Sequence, residues 1–182
     1  MSRKDYEMEI VVNLLKKENH VRGIAKNLGS NQTTIARKLN NLSRANVVDH
    51  KMEGKNKIYS LKKNIEARIY VYMAEHYKFL KTIENYPSLR KIITNIQKNK
   101  KIGLAILFGS YAKGRATNDS DIDIYIATED RELKKKIELV DSRLNVKIGK
   151  YNQKSPLIKE IEKDHVILKG VEIYYEKNNF FE

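Results

Sequence analysis

The 182 residues contain no cysteine, no tryptophan and only two prolines. Without cysteine there is no disulfide framework and no thiolate metal site. The four histidines, His20, His50, His76 and His165, stand singly, with none at metal-ligand spacing. Long apolar runs are missing too. The longest, around Ile69 to Ala74, is far short of the roughly 18 residues a membrane span requires. The N-terminus, MSRKDYEMEI, is charged and has no apolar segment of the signal-peptide kind. These absences predict a soluble cytoplasmic protein with no membrane partner. Acidic residues are outnumbered, 23 against 36 basic ones, for a formal net charge of +13. By residue count about +8 of that lies in residues 1–63. So basic a balance favours a polyanionic partner. Hydrophobic residues at 41% and charged residues at 32% allow a packed core and argue against wholesale disorder.

The first third of the chain reads as helices followed by a hairpin. Between Tyr6 and Lys17, Ile10, Val11, Leu14 and Leu15 recur at helical spacing. Val21 to Leu28 is a second short helix closed by Gly29. Ser30 and Asn31 are N-cap residues, and Gln32 to Ala45 is a third helix with Ile35, Leu39 and Leu42 inward. Val47 to Glu53 and Lys57 to Leu61 read as strands joined by Gly54-Lys55-Asn56. The third helix then turns Gln32, Thr33, Thr34, Arg37, Lys38 and Asn41 outward. Amides and Arg can read base edges, while Thr and Lys suit phosphates. Lys55 and Lys57, at the hairpin tip, are placed for flanking phosphates. With the small Ala25 where two helices approach, residues 7–62 resemble the winged helix-turn-helix of bacterial and archaeal transcription regulators. That resemblance implies double-stranded DNA as partner and, because such readers usually match two-fold operators, a homodimer. The helical stretch Asn64 to Glu84 is a candidate dimerisation element, and equally a plain core helix.

Beyond Pro87, which starts a helix at Ser88 to Lys98, the pattern changes. IGLAILF is a short apolar strand and GSYAKGRATNDS a loop with a helical turn. In the alternating strand DIDIYIA, Asp121 and Asp123 share one face. The stretch Arg131 to Leu144 reads as a helix, Asn145 to Lys150 as a strand, Leu157 to Lys163 as a helix and Val171 to Tyr175 as a last strand. Gly109 and Ser110 open a turn after the first strand, where backbone N–H groups and the Ser110 hydroxyl can hold a triphosphate. Two adjacent carboxylates facing phosphates suit Mg²⁺, a hard cation that prefers oxygen ligands.

Gly109-Ser110, ten intervening residues, then Asp121-x-Asp123 is the pattern by which residues 88–176 resemble the DNA polymerase β-like nucleotidyltransferases. Within that superfamily the short length is similar to the minimal members, including antitoxins that adenylylate their toxins. The resemblance implies Asp121 and Asp123 as catalytic metal ligands, Gly109 and Ser110 as nucleotide-binding residues, and Mg²⁺ with ATP or another nucleotide as ligands. It also implies a third carboxylate on a later strand, in an apolar-Asp-apolar triplet. Here Lys147 stands between Val146 and Ile148. An ammonium cannot ligate Mg²⁺ but can neutralise phosphate. Asp141 and Glu172 are the acids that could substitute, neither at the family's position.

The expected fold is α+β: a winged helix-turn-helix at 1–63, a helical connector at 64–87, and a nucleotidyltransferase-type mixed sheet flanked by helices at 88–182. The expected function is a DNA-binding transcriptional regulator whose second domain holds Mg-nucleotide without the third acid. The alternative is an active enzyme that moves AMP from ATP to a protein or nucleic-acid hydroxyl, with a protein partner encoded nearby.

Overall fold

A computed structural model describes residues 4–182. Met1, Ser2 and Arg3, the start of the charged N-terminus, lie outside the described residues. The fold is mixed α and β with two sheets. The chain forms two compact units. One runs to Tyr77 and takes in Phe181 and Glu182, and the other runs from Lys78 to Phe180.

In the first unit α1 spans Tyr6–Lys16. Asp5 caps it, its carboxylate accepting from the Glu7 N–H at 2.9 Å and the Met8 N–H at 3.3 Å. A two-residue strand, β1 (Asn19–His20), leads into α2 (Val21–Leu28). Gly29 closes α2 with φ at 58°. Asn31 caps α3 (Gln32–Arg44) through the Thr34 N–H at 2.7 Å. Ile35, Leu39 and Leu42 are fully buried, and each such side chain contributes about 1.5–3 kcal/mol. The three helices pack on one another, with Ile10, Val11 and Ile24 also fully buried. The hairpin β2 (Val48–Glu53) and β3 (Asn56–Leu61) turns at Gly54 and Lys55. Antiparallel pairing of β1 to β3 completes a sheet in the order β1-β3-β2.

The long helix α4 spans Ile65–Asn85. The Asn64 side chain caps it by accepting from the Ala67 N–H at 2.9 Å. Its first turns bury Ala67, Val71 and Ala74 and leave Ile65, Ile69 and Met73 exposed. The division between the units falls within α4, after Tyr77. Phe79 and Ile83, later in the helix, pack on the core of the second unit. Of the terminal aromatics, Phe181 meets Tyr72 edge-on, with Lys63 and Arg68 over its ring. Phe180 meets Tyr175 edge-on.

The second unit opens with a 3₁₀ turn at Pro87–Leu89 and α5 (Arg90–Lys98). Then follow β4 (Ala105–Phe108), α6 (Gly109–Ala112), β5 (Ile122–Ile126), α7 (Arg131–Glu138) and β6 (Leu144–Ile148). The chain ends with α8 (Pro156–Lys163), β7 (Val166–Lys169) and α9 (Val171–Lys177). The sheet order is β6-β5-β4-β7. Only β5 and β6 are parallel, and α7 supplies the crossover a parallel pair needs. Ile122, Ile124, Ile126 and Val146 join Ile92, Ile96, Leu133 and Ile137 in one core, so α5 and α7 cover that face of the sheet. By strand alternation Asp123, Tyr125, Asn145 and Lys147 point to the opposite face.

Val171 to Tyr175 is helical, not the expected last strand. Val171, Tyr174 and Tyr175 are the buried members, and that spacing is helical, whereas a half-buried strand would alternate. The strand role goes to Val166–Lys169, which pairs with β4. Gly170, at φ 80°, makes the turn between them. A Cβ there would come within 2.1 Å of the Gly103 carbonyl oxygen. The helix expected to reach Leu144 stops at Glu138.

Candidate nucleotide and nucleic-acid sites

In the second unit the site grows from the pairing of β4 with β5. Phe108 lies opposite Asp123, so the residue after the strand meets the Asp123 side chain. That residue is Gly109, with φ at 71°. A Cβ on it would sit 2.4 Å from Asp123 Oδ2. Glycine is required twice over, for the left-handed backbone and for the space. The other oxygen of Asp123, Oδ1, accepts from the Asn145 side-chain amide at 2.7 Å. The carboxylate is thus held by Asn145 of β6 and packed against the glycine that follows β4. Asp121 is exposed one residue before β5, on a segment pinned by the Ile122 N–H to the Arg143 carbonyl at 2.8 Å. The loop ahead of it is closed by Thr117 and Ser120, the Ser120 hydroxyl accepting from the Thr117 N–H at 2.9 Å. Ser110 lies on α6, half-buried, with its carbonyl accepting from the Arg115 N–H at 3.0 Å.

The substitute acids are accounted for. Asp141 is taken by Arg143, through Nε at 3.1 Å, Nη2 at 2.9 Å and the backbone N–H at 3.0 Å. The Arg143 guanidinium holds the Asp141 carboxyl below the usual carboxylate range. Glu172 follows Gly170, which abuts Gly103 ahead of β4. Gly109 follows the other end of β4, so Glu172 lies towards the opposite end of that strand from the site. Lys113 pairs with Glu160 at 3.7 Å, a surface contact. Among the described residues no group of three His, Cys, Asp or Glu side chains is placed to hold a metal ion. Two carboxylates with substrate phosphates fit a single Mg²⁺, which commonly takes one or two protein carboxylates. Bound there, held by Asp121 and Asp123, it would supply charge neutralisation to the phosphates. Among the described residues no third carboxylate joins Asp121 and Asp123.

In the first unit α3 and the hairpin flank an open cleft of ≈ 300 Å³ whose lining includes Arg22, Gln32, Lys55, Asn56 and Lys57. Gln32, Thr33 and Arg37 are exposed, and Thr34 is half-buried. Thr34, Arg37 and Lys38 line a second cleft of ≈ 720 Å³ with Lys4, Asp5 and Tyr6. Lys38 and Asn41 turn towards α1, both donating to Glu7 Oε1 at 2.9 and 3.1 Å. Burial works against ionisation of Glu7, but those two hydrogen bonds outweigh it and hold its carboxyl below the usual range.

Two residues of these sites escaped the sequence reading. Arg22 is exposed on α2 beside the buried Ile24 and Ala25, and a helical projection would have turned it outward. Asn145 could have been placed on the Lys147 face by strand alternation, but its pairing with Asp123 depends on a register that no local pattern encodes.

Residues 90–178 match the family described as Polymerase beta, Nucleotidyltransferase. They are a nucleotidyltransferase-type domain. The match covers the whole Gly109–Asp123 segment together with Asn145 and Lys147. No curated protein matches the chain. Among solved structures, the DNA-binding protein Sso10a-2 from Sulfolobus solfataricus is similar at 17% identity, covering 54% of this chain and 100% of that one. Its TM-score is 0.37, too low to bear on the fold. No helix among the described residues is long and apolar enough to cross a membrane.

Proposed function

We propose that the protein is a double-stranded-DNA-binding transcriptional regulator. In this reading its first unit is a winged helix-turn-helix, with α3 as the reading helix and β2–β3 as the wing. Its nucleotidyltransferase-type domain holds a Mg-nucleotide without transferring it. The observation that carries the DNA reading is the cleft that gathers Arg22, Gln32, Lys55 and Lys57. A guanidinium, two ammonium groups and an amide, drawn from three separate elements, suit three phosphates and a base edge. Selection of bound duplexes from a random pool tests it. Wild-type protein should enrich a motif that Gln32→Ala relaxes at one position, by about 1–3 kcal/mol of discrimination. Recovery of unenriched DNA would leave only non-specific binding.

The same reading makes the protein a two-fold dimer, as such regulators usually are. Ile65, Ile69 and Met73 support it. They follow one another at four-residue steps along α4, each 48–62% exposed, and they lie on a face opposite Ala67, Val71 and Ala74. Glu66 and Arg68 flank this line with opposite charges, so a second copy related by a two-fold axis can set one against the other.

The fit of Gly109 against Asp123 favours a second reading, transfer of AMP from ATP to a protein or nucleic-acid hydroxyl. ATP labelled at the α-phosphate, with Mg²⁺ or Mn²⁺ and cell lysate as acceptor, separates the two. Label transfer that vanishes in an Asp121→Asn, Asp123→Asn variant makes the protein an enzyme, and nucleotide binding without transfer supports the holding site.

A further inference from the structure

Asn145 and Lys147 together occupy the strand from which the nucleotidyltransferase resemblance implies a third carboxylate. On the parallel pair β5–β6, Asp123 lies opposite Asn145 and Tyr125 opposite Lys147. All four side chains therefore share the face turned away from the α5/α7 core. Asn145 presents its amide nitrogen to Asp123 Oδ1 at 2.7 Å. A donor in that place orients the carboxylate, and an amide nitrogen does not ligate a metal ion. Lys147 is exposed. Acids on the neighbouring elements are engaged by other lysines: Glu138 by Lys134 at 3.6 Å and Glu129 by Lys150 at 3.7 Å. Tyr125, its cross-strand neighbour, is neutral and directs its hydroxyl to the Gly149 carbonyl at 2.8 Å. The Lys147 ammonium is thus a compact charge on a long, flexible stem, on the same face as the carboxylate that faces Gly109.

We propose that Lys147 is an anion-binding residue of this site. Its ammonium contacts the phosphates of a nucleoside triphosphate and takes over part of the charge neutralisation that a third carboxylate would otherwise recruit a second metal to perform. Asn145 is the positioning residue that fixes Asp123 for the remaining cation. The inference rests on the reading that this domain holds a nucleotide. It adds that the holding is only partly metal-dependent, because one of the cations is built into the chain. An ammonium cannot accept the proton of an acceptor hydroxyl, which accords with holding over transfer.

Equilibrium dialysis of the full chain against each of the four ribonucleoside triphosphates, in Mg²⁺ and again in EDTA, tests this. Wild type should keep measurable affinity in EDTA. Lys147→Ala should lose about tenfold or more there, the worth of one charge-assisted hydrogen bond, and lose less in Mg²⁺. Lys147→Arg should restore the EDTA affinity. Asp123→Asn should remove the Mg²⁺-dependent part alone. Lys147 is exposed, so the two Lys147 variants should melt as wild type does, and circular dichroism checks it. If wild type and Lys147→Ala bind a triphosphate equally in both conditions, Lys147 has no such role and the holding site stands without it. If folded wild type binds none of the four, the nucleotide reading falls and Lys147 with it.

Discussion

The two units carry their candidate sites in opposite ways. In the first, Arg22, Gln32, Arg37, Lys55 and Lys57 are exposed around open clefts. What surrounds them is solvent, and a substitution there removes a contact with a partner and little else. In the second, Asp123 accepts a hydrogen bond from Asn145 on one side and leaves no room for a side chain at Gly109 on the other. A substitution of Gly109 there strains the backbone as well as the site. A surface that meets a large, regular polyanion can be assembled from side chains that settle on contact. A site for a few phosphate oxygens and one cation requires its carboxylates fixed beforehand.

Gly109→Ala should separate the units most sharply. The left-handed backbone alone costs about 1–3 kcal/mol for a residue with a Cβ, and the new methyl must displace Asp123. Thermal melting should show a marked loss of stability and dialysis a loss of triphosphate binding, with DNA binding retained. If Gly109→Ala melts like wild type, Gly109 does not constrain Asp123.

Tyr125→Phe comes next. It removes the hydrogen bond to the Gly149 carbonyl, worth about 0.5–1.5 kcal/mol. It also removes a phenol whose pKa burial pushes up to about 12. Because the folded value is raised, the stability linked to this group is complete below the unfolded value near 10 and is lost as pH rises through about 12. Urea midpoints between pH 9 and 12 should fall for wild type and fall less steeply for Tyr125→Phe. Parallel curves would mean that the phenol ionises as readily folded as unfolded.

Ile69→Lys sharpens the comparison at the surface of the first unit. It should leave the melting of the monomer within about 0.5 kcal/mol and convert a dimer to a monomer in analytical ultracentrifugation. A variant that sediments as wild type does would remove α4 as the dimer contact. Glu7→Gln should have the smallest effect. It weakens a part-buried pair worth about 1 kcal/mol at most and frees Lys38 and Asn41. DNA affinity that rises slightly would bring those two residues into the reading surface, and unchanged affinity would leave them as tethers of α3 to α1.

Local chemistry decided what the sequence could reveal. α3 was legible because Asn31, Ile35, Leu39 and Leu42 specify a capped amphipathic helix within one short window, and the Gly54-Lys55 turn because left-handed backbone favours glycine. Gly109 and Asp123 were legible as a pair because the motif that joins them is contiguous. α9 was not, because in VEIYYEK apolar and aromatic residues favour a strand until Gly170, lodged against Gly103, turns the chain out of the sheet. The two-residue β1 exists only by its pairing with Tyr59 and Ile58. Asn145 went unseen for a related reason: its partner lies across a parallel register set by the α7 crossover, and nothing near it in the chain names Asp123.

The most direct test of the central claim is the salt dependence of duplex DNA binding by the full chain, wild type against an Arg22→Ala, Lys55→Ala, Lys57→Ala variant. Each phosphate contact contributes about 0.9 to the slope of log affinity against log salt. The variant should bind more weakly at every salt concentration, with a slope shallower by about 3. A wild-type protein whose DNA affinity matches the variant's, in value and in slope, would contradict the account.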